Sequence, residues 1–512
     1  MQLSPDRGEY WYRLGRARQE LGEVGPAIQA LHRALAHGYA TAQTRKRLAE
    51  LEAQRGDAEA AVAEFEAARA AKLVNAEQVL MSSPPLSALL KDPRWQARIW
   101  PQLPAEANRL SRWHTDLDFL DKRMRETHWQ LFSQVSEADW TAAIERLRSD
   151  LPALSDWQVN VRLMELVRLG RAGHTHMLPP FQGDAFHAAD LRLGWFADGL
   201  FVTAAPTEHS ALVGRQVLRI GNGEPEAVLA KLRAVVPHDS ESGLLTFSPI
   251  YLLIPELLMH YGFADARDQL EFTLSGSGGR AERIRLPAPA LSIQRLQSWM
   301  MHVEAPADWV LARDRHASAR WLRHVDQPFW LDRTPQQGLL YAQLNAVRDG
   351  DQESLADFAE RLNQTLRSDK VDALVLDLRL NRGGNGELLE LLVQALIASP
   401  KLHQPGGLYV LISGRSFSAT SLLIGDLERQ LDPIFVGEPS GAGPTHVGED
   451  NMILLPNTGI AVMAASRHFV RSFSDDQRDS MAPHIAAALR FADYRDNRDP
   501  AWDAVRADRV PR

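Results

Sequence analysis

From residue 301 onward the apolar positions switch between two periods. "LLYAQLNAV", "VDALVLDLRL", "GLYVLIS" and "PIFVGEPSG" are short apolar runs bounded by Gly, Pro or Asn, the pattern of buried strands. Between them, "DQESLADFAERLNQTLRS" and "ELLELLVQALIAS" space their apolar residues for one helix face, and Pro400 stops the second. Strands alternating with helices of this length predict βα units on a largely parallel sheet. "NMILLPNTGIAVMAAS" predicts a hairpin around Pro456–Gly459. Upstream, residues 185–290 are mostly short strands and turns, with turns at Gly221–Gly223 and Ser275–Gly279 and one helix over Glu224–Ala234. Residues 110–169 are helical in pattern. "SEADWTAAIERLRSDL" opens with Ser136 three residues before Asp139, a capping-type start. "SDWQVNVRLMELVRLG" closes on Gly170, and the loop "RAGHTHMLPP" follows with His174 and His176.

The first 75 residues contain a repeat. Leu14, Gly22, Ala27, Leu31 and Ala34 recur as Leu48, Gly56, Ala61, Phe65 and Ala68, a period of 34. Small residues at fixed places let two antiparallel helices cross closely, and large apolar ones fill the gaps. Period and placement, with Trp11, Leu14 and Gly15 at the W, L and G positions, resemble the tetratricopeptide repeat. That resemblance implies a surface for a protein partner or for self-association. The predicted organisation is helical repeats over 1–75, a proline-rich linker over 76–109, a helical segment over 110–180, a β-rich module over 181–300 and an α/β core over 301–512.

Composition narrows the function classes. At 45% hydrophobic and 24% charged residues the 512-residue chain is that of a globular protein, too long for one core. A net charge of −8 argues against nucleic acid as a partner, which would call for a clustered basic face. With no cysteine there is neither disulfide framework nor thiolate nucleophile, and the 17 histidines form no ligand motif, so no metal and no cofactor is expected. No apolar run is long enough to span a bilayer. The start "MQLSPDRGEYWYRLG" lacks the basic and apolar regions of a secretory signal. The expected compartment is therefore the cytoplasm by default, or the periplasm should a leader precede this start.

Two loops leave the C-terminal ends of neighbouring predicted strands, "NRGGNG" (381–386) and "SGRSFSAT" (413–420). Ligands bind at that edge of an open α/β sheet. Gly383 and Gly384 free the backbone to present N–H groups, and a serine before a helix sits at the positive end of the helix dipole. Both serve a tetrahedral oxyanion. Three serines crowd the junction, Ser413, Ser416 and Ser418, and helix capping is the plain alternative for each.

The ordered set "DALVLDLRLNRGGNG", "VLISGRSFSATSLLIGDLE" and "FVGEPSGAGPTHVGE" resembles the core of the tail-specific, or C-terminal processing, serine peptidases, which include the tricorn core. "LVRLGRAGHT" and "APHIAAALRFADYRDNRDPAWDAV" extend the likeness over roughly 110–512. The resemblance implies a ClpP/crotonase-like ββα peptidase core, with a PDZ-like module at the β-rich segment beside the all-α repeats. It implies Ser418 as nucleophile, with oxyanion donors from Ala419 and from Gly383 or Gly384.

One departure shapes the chemistry. The bacterial branch takes a lysine base a few residues after G-E-P; Gly443 stands there, and no lysine occurs from 402 to 512. The tricorn-like branch takes a histidine from the G-H-T segment, which is His174 here, and an imidazole is a suitable base for a hydroxyl. His446 is the competing base. The aspartate that precedes G-H-T in the family is Ala172, so Asp476 or Asp479 is the expected orienting acid. Glu438 and Asn381 are expected to hold their own loops, and Asp377 and Arg379 to form a structural pair. The expected function is a serine-type peptidase acting on polypeptides. The alternatives are a peptidase-fold protein that binds peptides or protein partners without turnover, and an esterase-like hydrolase.

Overall fold

The computed structural model describes residues 6–181, 186–276, 280–301, 303–316, 319–336, 338–473 and 475–509. By packing, the chain divides into two units. The first comprises Met1–Ser155, His174–Leu178 and Glu449–Arg467; the second comprises Asp156–Gly173, Pro179–Gly448 and His468–Arg512.

In the first unit each copy of the sequence repeat forms a helix pair, Gly8–Glu20 with Val24–Ala36 and Thr41–Arg55 with Ala58–Ala70. Seven of the ten recurring positions are sealed from solvent, Ala27, Leu31, Ala34, Leu48, Ala61, Phe65 and Ala68, while Gly22 and Gly56 are exposed at the turns. Asp57 caps the fourth helix by accepting the Ala60 N–H at 3.1 Å. The proline-rich stretch that follows is packed: Leu80, Leu86 and Ile99 are buried on three short helices. Arg69, Glu77 and Arg123 form a buried ion cluster. Glu77 takes Arg123 at 2.8 Å and Arg69 at 3.5 Å, and Arg69 also donates to the Ile99 carbonyl at 2.7 Å. Burial pulls the Arg69 guanidinium down to about 10. Asp116, on the helix Arg109–Thr127, accepts four hydrogen bonds from Asn457 and Thr458 and so clamps the turn of the 445–470 hairpin. Thr175 Oγ1 accepts the Ala465 N–H, and His176 pairs with Met463, so the segment after His174 runs along that hairpin.

In the second unit the β-rich module is two three-stranded sheets. One holds Arg192–Phe196, Gly199–Pro206 and Trp309–Leu311; the other holds Val217–Ile220, Gln269–Ser275 and Ala281–Pro287. The expected turn at Ser275–Gly279 lies partly outside the described residues. The expected turn at Gly221–Gly223 closes on Ile220 and leads into the helix Pro225–Leu232.

The core is one six-stranded sheet. In spatial order its strands are Ile485–Ala486, Ile434–Gly437, Leu408–Ile412, Ala373–Asp377, Leu339–Leu344 and Phe329–Gln336. All neighbours are parallel except the last pair. Helices Leu355–Leu366, Leu389–Ile397 and Ala419–Gln430 supply one apolar layer, and Ala501, Trp502 and Val505 of the C-terminal helix supply the other.

This topology corrects the expected ClpP/crotonase-like ββα core. A ββα repeat spends two strands per helix, whereas here the parallel strands Leu339–Leu344, Ala373–Asp377 and Leu408–Ile412 are each followed by an α-helix before the next strand joins at the adjacent edge. The first hairpin and its helix do make one β-β-α run, but 373–377 and 408–412 are buried at every position. Strands apolar on both faces need cover on both sides, which one helix per crossover provides.

Replacing Glu77 by Gln leaves Arg69 and Arg123 buried against one another. Urea unfolding should show a loss of about 3–5 kcal/mol, against a much smaller loss for Glu126→Gln at the partly exposed edge. Equal losses for the two variants would show that burial of the cluster contributes nothing particular.

Candidate active site

The junction after Leu408–Ile412 is built by the two flanking serines. Ser413 Oγ donates to the Arg379 carbonyl at 2.8 Å, and Ser416 Oγ donates to the Leu378 carbonyl at 2.9 Å while accepting the Ser413 N–H. Both hydroxyls therefore moor this loop to the end of the neighbouring strand. Ser418 differs. It is the residue before the helix Ala419–Gln430, yet its side chain makes no capping hydrogen bond. Its backbone is held at φ 56°, ψ −124°, a conformation a non-glycine residue adopts only when its surroundings impose it.

Those surroundings are the glycine loop. Phe417 N–H donates to the Asn381 carbonyl at 3.2 Å, and a methyl group built on Gly383 would lie 2.7 Å from Ser418 Cβ and 2.9 Å from the Ala419 nitrogen. Gly384, at φ 137°, rests against the Val347 carbonyl, which a methyl group would approach to 2.3 Å. Val347 N–H donates to Gly383 O, and Asn385 N–H donates to Val347 O, both at 2.8 Å. The expected role of Asn381 is met in detail: its Oδ1 accepts the Gly383 N–H at 2.8 Å. That bond has a consequence for the oxyanion donors. The N–H of Gly383 is spent inside its own turn, so of the three expected donors it is the one already engaged.

The other expected residues separate by their partners. His446 is buried, with its Nδ1–H donating to the Gly443 carbonyl at 3.0 Å and its ring against Phe469. Gly443, where the bacterial branch of the resembled family has lysine, touches the Arg478 carbonyl so closely that a methyl group would stand 1.9 Å from it. No side chain fits there. Asp476 is bound by Arg478, which also pairs with Glu428, and these hydrogen bonds hold its carboxyl well below the usual range. Asp476, expected as an orienting acid, is thus held in an ion pair with Arg478. Asp479 is exposed. Glu438 accepts the Leu489 N–H at 3.1 Å, and burial raises its carboxyl above the ordinary range. Asp377 and Arg379 form the expected pair and extend it: Arg379 also binds both oxygens of Asp499, at 2.7 and 2.9 Å. His174 lies in the first unit, buried with 6% of its surface exposed.

Asp239 is missing from the sequence-based candidates. Its Oδ1 accepts the N–H of Gly173, the residue before His174, at 2.6 Å, while its Oδ2 is sealed from solvent with no partner among the described residues. A methyl group on Gly173 would lie 2.7 Å from that Oδ2 and 3.0 Å from the Phe417 ring. Burial pushes the Asp239 carboxyl up to about 6, against the Gly173 N–H and Arg168, which lower it. Nothing in "VPHDSES" marks this residue, because the juxtaposition joins chain positions far apart.

Among the described residues no group of His, Asp and Glu has the geometry of a metal site. No described helix is long and apolar enough to cross a membrane.

Two predictions test the site's strain and charge. Ser418→Gly should raise stability by ~1 kcal/mol by removing the positive-φ penalty, read as a higher melting temperature; an unchanged or lower one would deny the strain. Asp239 has a folded pKa above its unfolded value of 3.8, so the folded state retains a proton that the unfolded state has released between pH 4 and 6. Stability therefore falls with rising pH across that window. The stability of Asp239→Asn relative to the parent should grow by ~2–3 kcal/mol from pH 4 to 7 and stay level above; a flat difference in urea melts would contradict the burial.

No family model matches the chain, and no curated protein does. Solved structures do. A crystal structure of a serine-to-alanine mutant of CPAF matches with a TM-score of 0.53 at 12% identity, over 75% of this chain and 94% of that one. Mature CPAF matches at 0.52 and 12%, over 78% of this chain and 99% of that one. Mature CPAF complexed with lactacystin matches at 0.52 and 12%, over 78% and 97%. The chain thus shares its fold with CPAF rather than with the ClpP/crotonase architecture expected from its motifs.

Proposed function

We propose that the protein is a serine-type peptidase acting on polypeptides. The observation that carries this reading is Ser418: a strained serine at a helix N-terminus whose hydroxyl is not spent on capping, with the glycine loop laid over it. Ser418 Oγ attacks the scissile carbonyl carbon. His174 takes the hydroxyl proton and later gives it to the leaving amine, and the N–H groups of Ala419 and Gly384 hold the oxyanion. A positioned imidazole of this kind contributes on the order of 10²–10⁴-fold. The choice of His174 rests on its place in the G-H-T segment and on the hydrogen bond that holds Gly173 immediately before it. Asp239, the acceptor of that bond, is the positioning residue in this scheme; Asp476 has no part in it. The resemblance of the β-rich module to a PDZ domain supports selection of an extended polypeptide. The helix pairs of residues 8–70 would take a protein partner or a second copy.

Ser418→Ala should abolish labelling by a fluorophosphonate probe and lower peptide or casein hydrolysis by roughly 10³-fold or more. His174→Ala should do the same to hydrolysis. Undiminished labelling of Ser418→Ala would remove the nucleophile. Peptide binding with no hydrolysis at any pH would favour the alternative of a binding protein without turnover.

A further inference from the structure

Arg415 stands three residues before Ser418, in the same loop. Its backbone N–H is fixed on Ser413 Oγ at 3.2 Å, yet among the described residues its guanidinium has neither a carboxylate nor a hydrogen-bond acceptor. Its Nε is sealed from solvent without a partner among the described residues, while the residue as a whole is only half-buried. The charges acting on it are two more arginines, Arg382 and Arg192; burial first, and then these two, pull it down to about 9, so it remains a cation at neutral pH. Arg382 belongs to the glycine loop, immediately before Gly383. It donates to the Met300 carbonyl and lies over the Phe247 ring at 4.6 Å, and Phe247 meets Phe417 edge-on at 5.6 Å. A second unsatisfied group belongs to the same neighbourhood. The Tyr251 hydroxyl is buried with no partner among the described residues, and the charges acting on it are Arg168 and Arg382.

A partly buried cation under the field of like charges, without a counter-ion among the described residues, costs free energy unless a ligand completes it. A guanidinium matches a carboxylate through two parallel N–H bonds, a fit that neither an amide nor a hydroxyl reproduces. We propose that Arg415, together with Arg382, binds a carboxylate of the substrate close to the scissile bond. The assignment rests on the peptidase reading for its meaning but not for its test. The carboxylate belongs either to an acidic side chain or to a free C-terminus, and the two sources are experimentally separable.

The experiment uses the full chain and matched peptides carrying Glu or Gln at each position around the cleavage site, each with a free or an amidated C-terminus. Cleavage is measured with the parent, Arg415→Gln and Arg415→Lys. Binding of the same fluorescent peptides is measured by anisotropy on Ser418→Ala, with and without Arg415→Gln. The expected result is a preference of roughly 10-fold or more for the carboxylate member of one pair, in both readouts, lost in Arg415→Gln and partly kept in Arg415→Lys. A Glu-over-Gln preference assigns the side chain, and a free-over-amidated preference assigns the terminus; either supports the site. Equal handling of every pair, or a preference that survives Arg415→Gln, overturns it. Arg415→Gln should also melt no lower than the parent, since it relieves like-charge repulsion; a clear drop would mean that Arg415 serves an internal partner and would overturn the proposal. Absence of all cleavage with the binding preference intact would overturn the peptidase reading and leave the carboxylate site standing.

Discussion

The Arg379 guanidinium is the fixed point from which the site is built. It is gripped by Asp377 on its own strand and by Asp499 from the C-terminal helix, and the Trp321 ring lies 5.2 Å away on its face. Tyr341 adds a 2.6 Å hydrogen bond to Asp377 from the neighbouring strand. Burying such a group is expensive, and an apolar cluster of equal volume would stabilise the fold at least as well. An apolar cluster, however, would not fix the direction of the chain beyond Asp377. With the guanidinium locked, the carbonyls of Leu378 and Arg379 point where Ser416 and Ser413 reach them, and Asn381 can then bond Phe417. Each bond is worth only about 1 kcal/mol net; their joint effect is to set the geometry of two loops against each other.

That geometry explains why Ser418 is unlike its neighbours. Ser413, Ser416 and Ser418 are equivalent in composition, and at the level of pattern each is a cap or a turn residue. Only the paired loops distinguish them, because two of the hydroxyls are consumed in holding the third residue at a positive φ. Much of this was legible beforehand. The buried strands 373–377 and 408–412 announce themselves as unbroken apolar runs, Ser136 bonds the Asp139 N–H, and Ser354 with Asp357 forms a capping box at the start of the helix Leu355–Leu366. Local chemistry of this kind depends on residues a few positions apart, which is where sequence patterns carry information.

What escaped the pattern depends on distant partners. The β-β-α run at 329–366 is real, but whether the next strand pairs as a hairpin or as a crossover is decided by which faces are buried, so the ββα expectation failed. Asp476 was the expected acid by position, and its ion pair with Arg478, two residues on, comes with the fold of that loop. Gly443 shows the converse. Its lack of a side chain is plain in the sequence, but the reason, a carbonyl of Arg478 occupying the space, is a tertiary one. A chain without the lysine has therefore also closed the place where a lysine would stand.

Buried polar atoms without a partner among the described residues occur on several elements of the second unit, Asn160 Oδ1 and Trp330 Nε1 among them, and some belong to the candidate site. Strain is held at Ser418, and among the described residues Asp239 has a sealed oxygen without a donor, Arg415 a guanidinium without an acceptor and Tyr251 a buried hydroxyl without a partner. Asp239 is joined through Gly173 to the Phe417 ring, and the charge of Arg382, in the glycine loop, acts on both Tyr251 and Arg415. Elsewhere in this unit buried charges are completed, as in Arg379 with its two aspartates or Glu256 with His187 and Arg267. Stability alone would remove such defects one by one, since each costs about 1–3 kcal/mol and none depends on another for folding. Under the proposed peptidase reading, the strain at Ser418 and the open guanidinium of Arg415 are two that a bound substrate would engage.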